Sequence, residues 1–510
     1  MLGIRYNSDM LRLRFWLSSA ILFAAVAVQS QTTLTLLHTN DLHAHVEPTA
    51  IRGKFYGGYA RQATLIKRLR ASEPNTLLLN GGDTFQGTLY FNVYEGMADL
   101  AFMNAAGYDA MAVGNHEFDK GPAALTKFAK WAAFPLLSAN LDLTLEPELD
   151  QVVSPYVIKE VNGIKVGIIG ATTVDLLSIS SPGPNVKMLD LEKELQSIVD
   201  ELTRKRIYHV ILVSHCGYEE EKVLASRIRG LDVIVGGHSH SMLGKVDREG
   251  FISRGDYPTV VKNPTGSDCL VVQAWEWGKV LGKIRVKFNK IGRVSGYEGA
   301  EPIVIDDSIP EDQAVKSMLL ALEAPILELK TKVVGSAAAR LSRNDLGGII
   351  ADAMLAGTAQ QGSQIAFMNP GGVRSDLEPG DITYGAAISV QPFGNTMVVL
   401  DLTGKEITDT LEQMIMRNNG EGSPMHASKG FEYKIDRSAP AGSKITNASL
   451  NGIPIVPTQT YRIVTNNFMA NGGDGMTIMQ AAKGTRIETG FLDLDVFLAY
   501  IKANSPIRKR

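Results

Sequence analysis

Nine histidines occur in the 510 residues, and seven of them lie in four short segments. These are HTNDLHAH (38–45), GNHEFD (114–119), SHCG (214–217) and GGHSH (236–240); a fifth segment, NGGDTFQG (80–87), adds Asp83. Imidazole, carboxylate and amide oxygen together make a donor set suited to Zn²⁺, Mn²⁺, Fe or Co, whereas Ca²⁺ prefers oxygen alone. Each segment taken singly has an ordinary reading. Asp41 and His43 can be turn residues, Gly81-Gly82-Asp83 a plain turn, and a lone histidine a hydrogen-bonded structural group. It is the conjunction of five that points to a metal centre.

The candidate ligands are Asp41, His43, Asp83, Asn115, His215, His238 and His240. Seven exceed what one tetrahedral ion takes, but they suit two cations that share a carboxylate. An anionic bridge offsets the repulsion between neighbouring cations, and Asp83 is the natural one. A hydroxide held between the same pair would be acidified by both and poised for in-line attack. Asn115 offers a neutral oxygen, which keeps the site from being overneutralised.

The positions of these segments say how they could meet. Each directly follows a short apolar run: TLTLL (33–37), NTLLL (75–79), AMAV (110–113), HVILVS (209–214) or DVIVG (232–236), with a further run at KVGIIG (165–170). Helical patterns at Tyr59–Ala71, Pro122–Phe134 and Leu191–Arg206 lie between them. Short apolar runs alternating with helices predict an α/β layered domain with largely buried strands, running to about residue 305. Residues just past strand ends in such sheets converge on one crevice. The alternating stretch CLVVQAWEWGKVLGKIRVKF (269–288) predicts antiparallel hairpins. A capping box, Ser308 with Glu311, then predicts a connecting helix through 318–329, kinked at Pro325. The second domain, 333–510, reads as α+β. Its predicted strands are Gln364–Met368, Ala387–Val390, Thr396–Asp401, Phe431–Ile435 and Thr460–Val464, and its predicted helices Gly347–Gln361, Gly404–Met416 and Leu492–Lys502.

Composition excludes several classes. Hydrophobic residues make up 45% and charged residues 21%, enough apolar material for large cores and too much for a disordered chain. Lys plus Arg is 51 against 54 Asp plus Glu, so no bulk positive charge exists to grip a nucleic-acid polymer. Only two cysteines, Cys216 and Cys269, are present; they make no framework, and their pairing stays open. Residues 1–30 read as a secretory signal peptide, with Arg5, Arg12 and Arg14 before an apolar run at 15–28 that is short for a membrane span. Cleavage would also remove Asp9, leaving 48 basic against 53 acidic residues, or −5. The expectation is an exported protein without a lasting membrane anchor, in a periplasm or secreted, and a monomer.

The five segments, in this order, resemble the calcineurin-like metallophosphoesterases, and specifically the exported 5′-nucleotidase / UDP-sugar hydrolase family, over roughly Thr33 to Pro506. The resemblance implies a four-layer α/β/β/α metallophosphoesterase domain at 31–305, a connecting helix at 306–332 and an α+β substrate-binding domain at 333–510. It implies that Asp41, His43, Asp83 and His240 hold one divalent metal ion, and Asp83, Asn115, His215 and His238 a second; Zn, Mn and Co are candidates. His116 with Asp119 would be the catalytic dyad, the carboxylate fixing the tautomer and raising the basicity of the imidazole. Glu117 and Asp119 read otherwise as a solvated helix start.

The resemblance extends to the second half. NPGGVRSD (369–376) is similar to a family motif that places Asn369 and Arg374 at the substrate, although Pro370 stands where glycine is usual. QPFGN (391–395) and NNFMANGGDG (466–475) match the nucleobase-binding segments. By that likeness Phe393 and Phe468 sandwich a base, while Asn395 and Asp474 bond base or ribose. Arg340 matches an arginine that meets phosphate or carboxylate groups. Ser336 stands where the broadest-range member carries another arginine, and Arg343 is either its substitute or a solvated charge. The implied activity is release of phosphate from 5′-nucleotides such as AMP. Wider use of nucleoside di- and triphosphates and UDP-sugars is part of the same expectation. Domain rotation about 308–330 would close the site. Two alternatives remain open: a 2′,3′-cyclic nucleotide phosphodiesterase/3′-nucleotidase, and a nucleoside-binding receptor without turnover.

Overall fold

Strands that are apolar on both faces need cover on both, and this requirement sets the layers of the N-terminal half. The computed structural model describes residues 32–51, 53–420 and 422–510; the expected leader at 1–30 lies outside them. A seven-stranded sheet has the order Val294–Val304, Val280–Phe288, Thr32–Thr39, Thr76–Asn80, Ala110–Ala112, Leu136–Leu137, Val153–Ser154. A six-stranded sheet has the order Thr259–Lys262, Asp268–Val272, Val233–Val235, His209–His215, Ile164–Thr172, Tyr156–Val161. Their inner faces form one core, with Leu34, Leu36, Leu77 and Leu79 from the first sheet and Ile168, Ile211, Val213 and Val235 from the second. Each such fully buried side chain contributes about 1.5–3 kcal/mol by leaving water. Helices Tyr59–Ser72, Met97–Ala106 and Pro122–Trp131 cover one outer face, and Leu191–Arg204 and Tyr218–Arg227 the other. The result is the expected α/β/β/α stack.

The ligand-bearing strands run parallel within each sheet. Thr32–Thr39, Thr76–Asn80 and Ala110–Ala112 are one parallel set, and Ile164–Thr172, His209–His215 and Val233–Val235 another. All five candidate segments therefore leave from carboxyl ends of parallel strands.

Two sequence expectations fail locally and a third holds in altered form. The 269–288 stretch supplies one strand to each of two antiparallel hairpins, Thr259–Lys262 with Asp268–Val272 and Val280–Phe288 with Val294–Val304, and its two strands do not pair with each other. Asp268–Val272 pairs with Val233–Val235 in one sheet, while Val280–Phe288 pairs with Thr32–Thr39 in the other. Alternation reported two half-buried strands but could not report which sheet each joins. Ala387–Val390 belongs to a helix, Tyr384–Val390, capped by the Thr383 side chain; its β-branched residues mimicked a strand. The connecting helix spans Gln313–Thr331 and is capped by Asp312, whose carboxylate accepts from the N–H groups of Ala314 and Val315. Ser308 instead donates to Asp306. Pro325 sits inside that helix without ending it. The helix packs on the N-terminal half, with Val315 and Ile326 buried in its outer core and the Tyr94 hydroxyl donating to the Leu322 carbonyl.

The C-terminal half is built on a five-stranded sheet ordered His426–Ala427, Ile365–Met368, Thr460–Asn466, Thr396–Thr403, Arg486–Leu492. Helices Arg343–Gly357 and Asp493–Asn504 pack on one face and Gly404–Gly420 on the other. Among the described residues no helix is long and apolar enough to cross a membrane.

The two sheets of the N-terminal half come very close at Gly170, where a Cβ would strike the Leu137 carbonyl. Gly170→Ala is expected to force the sheets apart and cost about 1–3 kcal/mol of stability, seen as a lower urea midpoint at unchanged slope.

Candidate metal centre and substrate face

Two clusters of donors face one another across the strand ends. Asp41, His43 and His240 form one group and Asp83, His215 and His238 the other, the ligating atoms within each lying within 4.8 Å of one another. Asp41 Oδ1 lies 3.2 Å from His240 Nε2, and His43 Nε2 lies 3.1 Å from His240 Nε2. In the second group His215 Nε2 is 2.9 Å from Asp83 Oδ2 and 3.1 Å from Asn115 Oδ1. His238 Nδ1 is 3.0 Å from the same amide oxygen. Asp83 Oδ2 also lies 3.9 Å from His43 Nε2, so a single carboxylate oxygen faces both groups. All seven candidates named from sequence are brought together.

The opposite edge of each imidazole decides what it offers. His43 Nδ1 meets the Phe85 carbonyl at 2.9 Å, His215 Nδ1 the Gly81 carbonyl at 2.7 Å, and His240 Nδ1 the Glu276 carboxylate at 2.5 Å. Each of these Nδ1 atoms must donate, which makes Nε2 the inward-facing nitrogen, a lone pair once any proton on it is lost. Two lone pairs 3.1 Å apart, at His43 and His240, repel unless a cation or proton lies between them. The residues thus fit a pair of divalent cations held by nitrogen and oxygen donors.

Electrostatics points the same way. Burial alone would raise Asp41 and Asp83, yet the surrounding histidines hold both below the usual carboxylate range. Burial opposes charge on His215, but Asp83 outweighs it and lifts that imidazole to about 9. Asp41 and Glu276 likewise outweigh burial at His240 and raise it well above the usual value. His43 and His238, dominated by burial, fall to about 4 and about 3 and stay neutral.

The backbone is bent to achieve this. Asp41, His43, Asp83, His238 and His240 all have positive φ, between 47° and 72°. Such left-handed conformations are unfavourable for residues with a Cβ, at about 1–3 kcal/mol each. The anchoring group that sequence reading missed is Glu117. It is fully buried rather than solvated, and its two oxygens accept from the backbone N–H groups of Asp83, Thr84, Phe85 and Gly114. It staples the Asp83 loop to the Asn115 loop. Its only sequence signal was a carboxylate embedded between candidate ligands.

His116 sits beside the shared carboxylate. Its backbone N–H donates to Asp83 Oδ1 at 2.9 Å, and its Nε2 lies 4.0 Å from Asp83 Oδ2. His116 Nδ1 is 2.6 Å from Asp119 Oδ2, and Ser180, also missed, donates to Asp119 Oδ1. Burial disfavours charge on His116, but Asp119 and Asp83 outweigh it and raise it to about 9.

The substrate-side candidates are arranged on the C-terminal half. Phe393 and Phe468 are 40% and 46% exposed, large for phenylalanine, so neither is core. A Cβ on Gly473 would stand 2.7 Å from the Phe468 ring, so the glycine lets that ring lie flat on the loop. The Arg374 guanidinium lies 5.7 Å from the centre of the Phe393 ring. Asn369 donates to Asp474, which also pairs with Arg417 at 2.8 Å. Asn395 donates to Asp493 at 3.2 Å. Arg340 pairs with Asp376 at 2.8 Å and lies 3.5 Å from Glu378, so here its partners are acidic side chains of the same half. Ser336 lies in a strand, Val333–Ala337, its N–H bonded to Ser505. The 391–395 loop reaches the metal-side loops: a Cβ on Gly394 would be 3.9 Å from the Gly87 carbonyl, and one on Gly87 would strike the His43 carbonyl. Cys216 and Cys269 are buried free thiols, both raised by burial.

A two-sheet α/β/β/α stack with this donor set at its strand ends defines a metallophosphoesterase, and the family described as calcineurin-like phosphoesterase matches residues 34–242. The family described as 5′-nucleotidase, C-terminal domain, matches residues 326–481. A snake venom 5′-nucleotidase of Gloydius brevicauda is 33% identical over 526 residues, covering 96% of this chain and 88% of the relative. The trifunctional nucleotide phosphoesterase protein YfkN of Bacillus subtilis (strain 168) is 32% identical over 92% of this chain, which spans only 34% of that longer relative. Among solved structures, a 5′-nucleotidase precursor from Thermus thermophilus is 44% identical with a TM-score of 0.66, covering 92% of this chain and 96% of that one. The chain belongs to the 5′-nucleotidase family and is a metal-dependent phosphoester hydrolase.

Because His215 and His240 hold protons that a cation must displace, loading the metal-free protein with Zn²⁺ near neutral pH is expected to release protons. Affinity should rise as pH climbs toward about 9, the value for His215. Calorimetry in buffers of differing ionisation enthalpy reads this directly, and a pH-independent affinity would contradict it.

Proposed function

We propose that this protein releases phosphate from 5′-nucleotides of the AMP type, with nucleoside di- and triphosphates and UDP-sugars as further substrates. The observation that carries the reading is the single carboxylate, Asp83, facing two histidine-rich groups beside the His116–Asp119 pair. In this reading Asp41, His43, Asp83 and His240 hold one divalent ion, and Asp83, Asn115, His215 and His238 the other. When bound, the two ions supply Lewis acidity to the phosphoryl group and a water made acidic enough to attack it. His116, protonated while Asp119 holds its other nitrogen, stabilises charge on the phosphoryl oxygens or donates its proton to the leaving 5′ oxygen. Arg374 adds positive charge from the other half.

Phe393 and Phe468 are assigned the base, held between two exposed rings, a contact of ~1–3 kcal/mol per base in other systems. Asn395, Asn369 and Asp474 are assigned hydrogen bonds to base or ribose, and Arg340 a phosphate or carboxylate-like group. In this reading the chain divides at 31–305, 306–332 and 333–510, and it is an exported monomer acting in a periplasm or outside the cell.

Phosphate release from AMP is expected with metal and not after EDTA treatment. Equal or better turnover of 2′,3′-cyclic AMP would favour the phosphodiesterase reading instead, and binding of AMP without turnover the receptor reading. His116→Ala is expected to cost about 10²–10⁴ in turnover with both ions retained; near-normal turnover would remove it from the dyad.

Phe393→Ala separates base recognition from chemistry. It should raise KM for AMP about 5- to 150-fold, the equivalent of ~1–3 kcal/mol of stacking. Turnover of p-nitrophenyl phosphate, which presents no nucleobase, should be little changed.

A further inference from the structure

The two donor groups are supported in different ways, and the difference lies in one turn, Ala274–Lys279. Lys279 is 2% exposed, an unusual place for an ammonium. Its Nζ lies 3.6 Å from the centre of the Trp275 ring and 4.2 Å from that of Trp277, so two indole faces replace the water it has lost. It also donates to Glu276 Oε1 at 2.6 Å. An ion pair three residues apart could be a purely local device. The other oxygen of Glu276 argues otherwise, because Oε2 lies 2.5 Å from His240 Nδ1.

The rest of the turn aims at the same place. The Trp277 backbone N–H donates to the Asp41 carbonyl at 2.7 Å. Asn40 donates to the Trp275 carbonyl and to Asp41 Oδ2, and accepts from the Ala274 N–H. Trp275, Trp277 and Gly278 all take positive φ to make these contacts. The other group has supports of its own, the Gly81 carbonyl on His215 and the Glu221 carboxylate on the Gly237 N–H, and it meets the first where the His238 backbone N–H donates to Asp41.

We infer that Lys279 and Glu276 are positioning residues for the Asp41–His43–His240 ion alone, the buried lysine holding the carboxylate that orients the His240 imidazole. A carboxylate behind a ligating histidine makes it a stronger donor, and losing such a partner typically weakens metal binding about 10–100-fold. The neighbouring ion, whose ligands are braced by the Gly81 carbonyl and the Glu221 carboxylate, is expected to be held without the Glu276–Lys279 pair. The inference rests on the two-ion reading given above.

The test is metal content of the full-length protein, loaded with Zn²⁺ and dialysed against graded chelator, for the wild type, Glu276→Gln, Lys279→Met and the double variant. The double variant removes both charges together and so avoids a lone buried ion; circular dichroism confirms folding. Wild type should hold two ions per chain. Each variant should release one ion at about 10- to 100-fold lower chelator strength and keep the second at wild-type affinity. Variants that hold both ions as the wild type does, or lose both together, would overturn the inference while leaving the two-ion reading intact. A wild type that holds fewer than two ions would overturn that reading, and the inference with it.

Discussion

The rest of the site depends on the carboxylate of Asp83 and on the different tasks of its two oxygens. Oδ1 accepts the backbone N–H of His116 and is thereby tied to the loop that carries the His116–Asp119 pair. Oδ2 is left facing His215 at 2.9 Å and His43 at 3.9 Å. A buried anion between imidazoles on both sides must be neutralised, and the low-dielectric surroundings make the requirement severe. In the metal-free charge balance protons on His215 and His240 meet part of it. Divalent cations meet it better, because each can use every lone pair in its group at once.

This concentration of donors comes with backbone strain. Five ligand candidates occupy left-handed conformations that their side chains disfavour, and several buried carboxylates lie close together. The compensation is structural and distributed. Glu117 collects four backbone N–H groups from two loops, and Glu221 with Gln273 braces the loop carrying His238. Beneath them, the leucine, isoleucine and valine side chains between the sheets keep the strand ends in register. The stability of the sandwich holds a site that would relax if its loops were free.

The candidate metal ligands and the candidate substrate residues fall on different halves of the chain. The metal-side residues are buried or half-buried, whereas Phe393, Phe468, Arg374 and Arg340 are exposed on the C-terminal half. Exposed aromatic rings next to a guanidinium suit a ligand with a flat base and an anionic tail. The approach of the 391–395 loop to Gly87, beside His43, joins the two surfaces. The Gln313–Thr331 helix, docked on the N-terminal core through Val315 and Ile326, carries the chain from one to the other.

Much of this was legible in the sequence because residue type and order carry it. Apolar runs of four to six residues foretold the buried strands of an α/β layered domain, and ligand-type residues after five of them foretold a metal centre. What the sequence could not express were relations between distant segments. It did not say that Asp268–Val272 and Val280–Phe288 join different sheets, since alternation records burial of a face and not the identity of the neighbour. Nor did it mark Tyr384–Val390 as a helix, because a short segment takes its conformation from packing and capping as much as from propensity. Glu117 read as a solvated helix start, and nothing in the sequence singled out Glu276 and Lys279 until the fold brought them together behind His240. The sequence by itself determined which atoms could bind cations and in what order along the chain. Only the tertiary structure decided which imidazole nitrogen faces inward, because that depends on the carbonyl or carboxylate that folding places behind each ring.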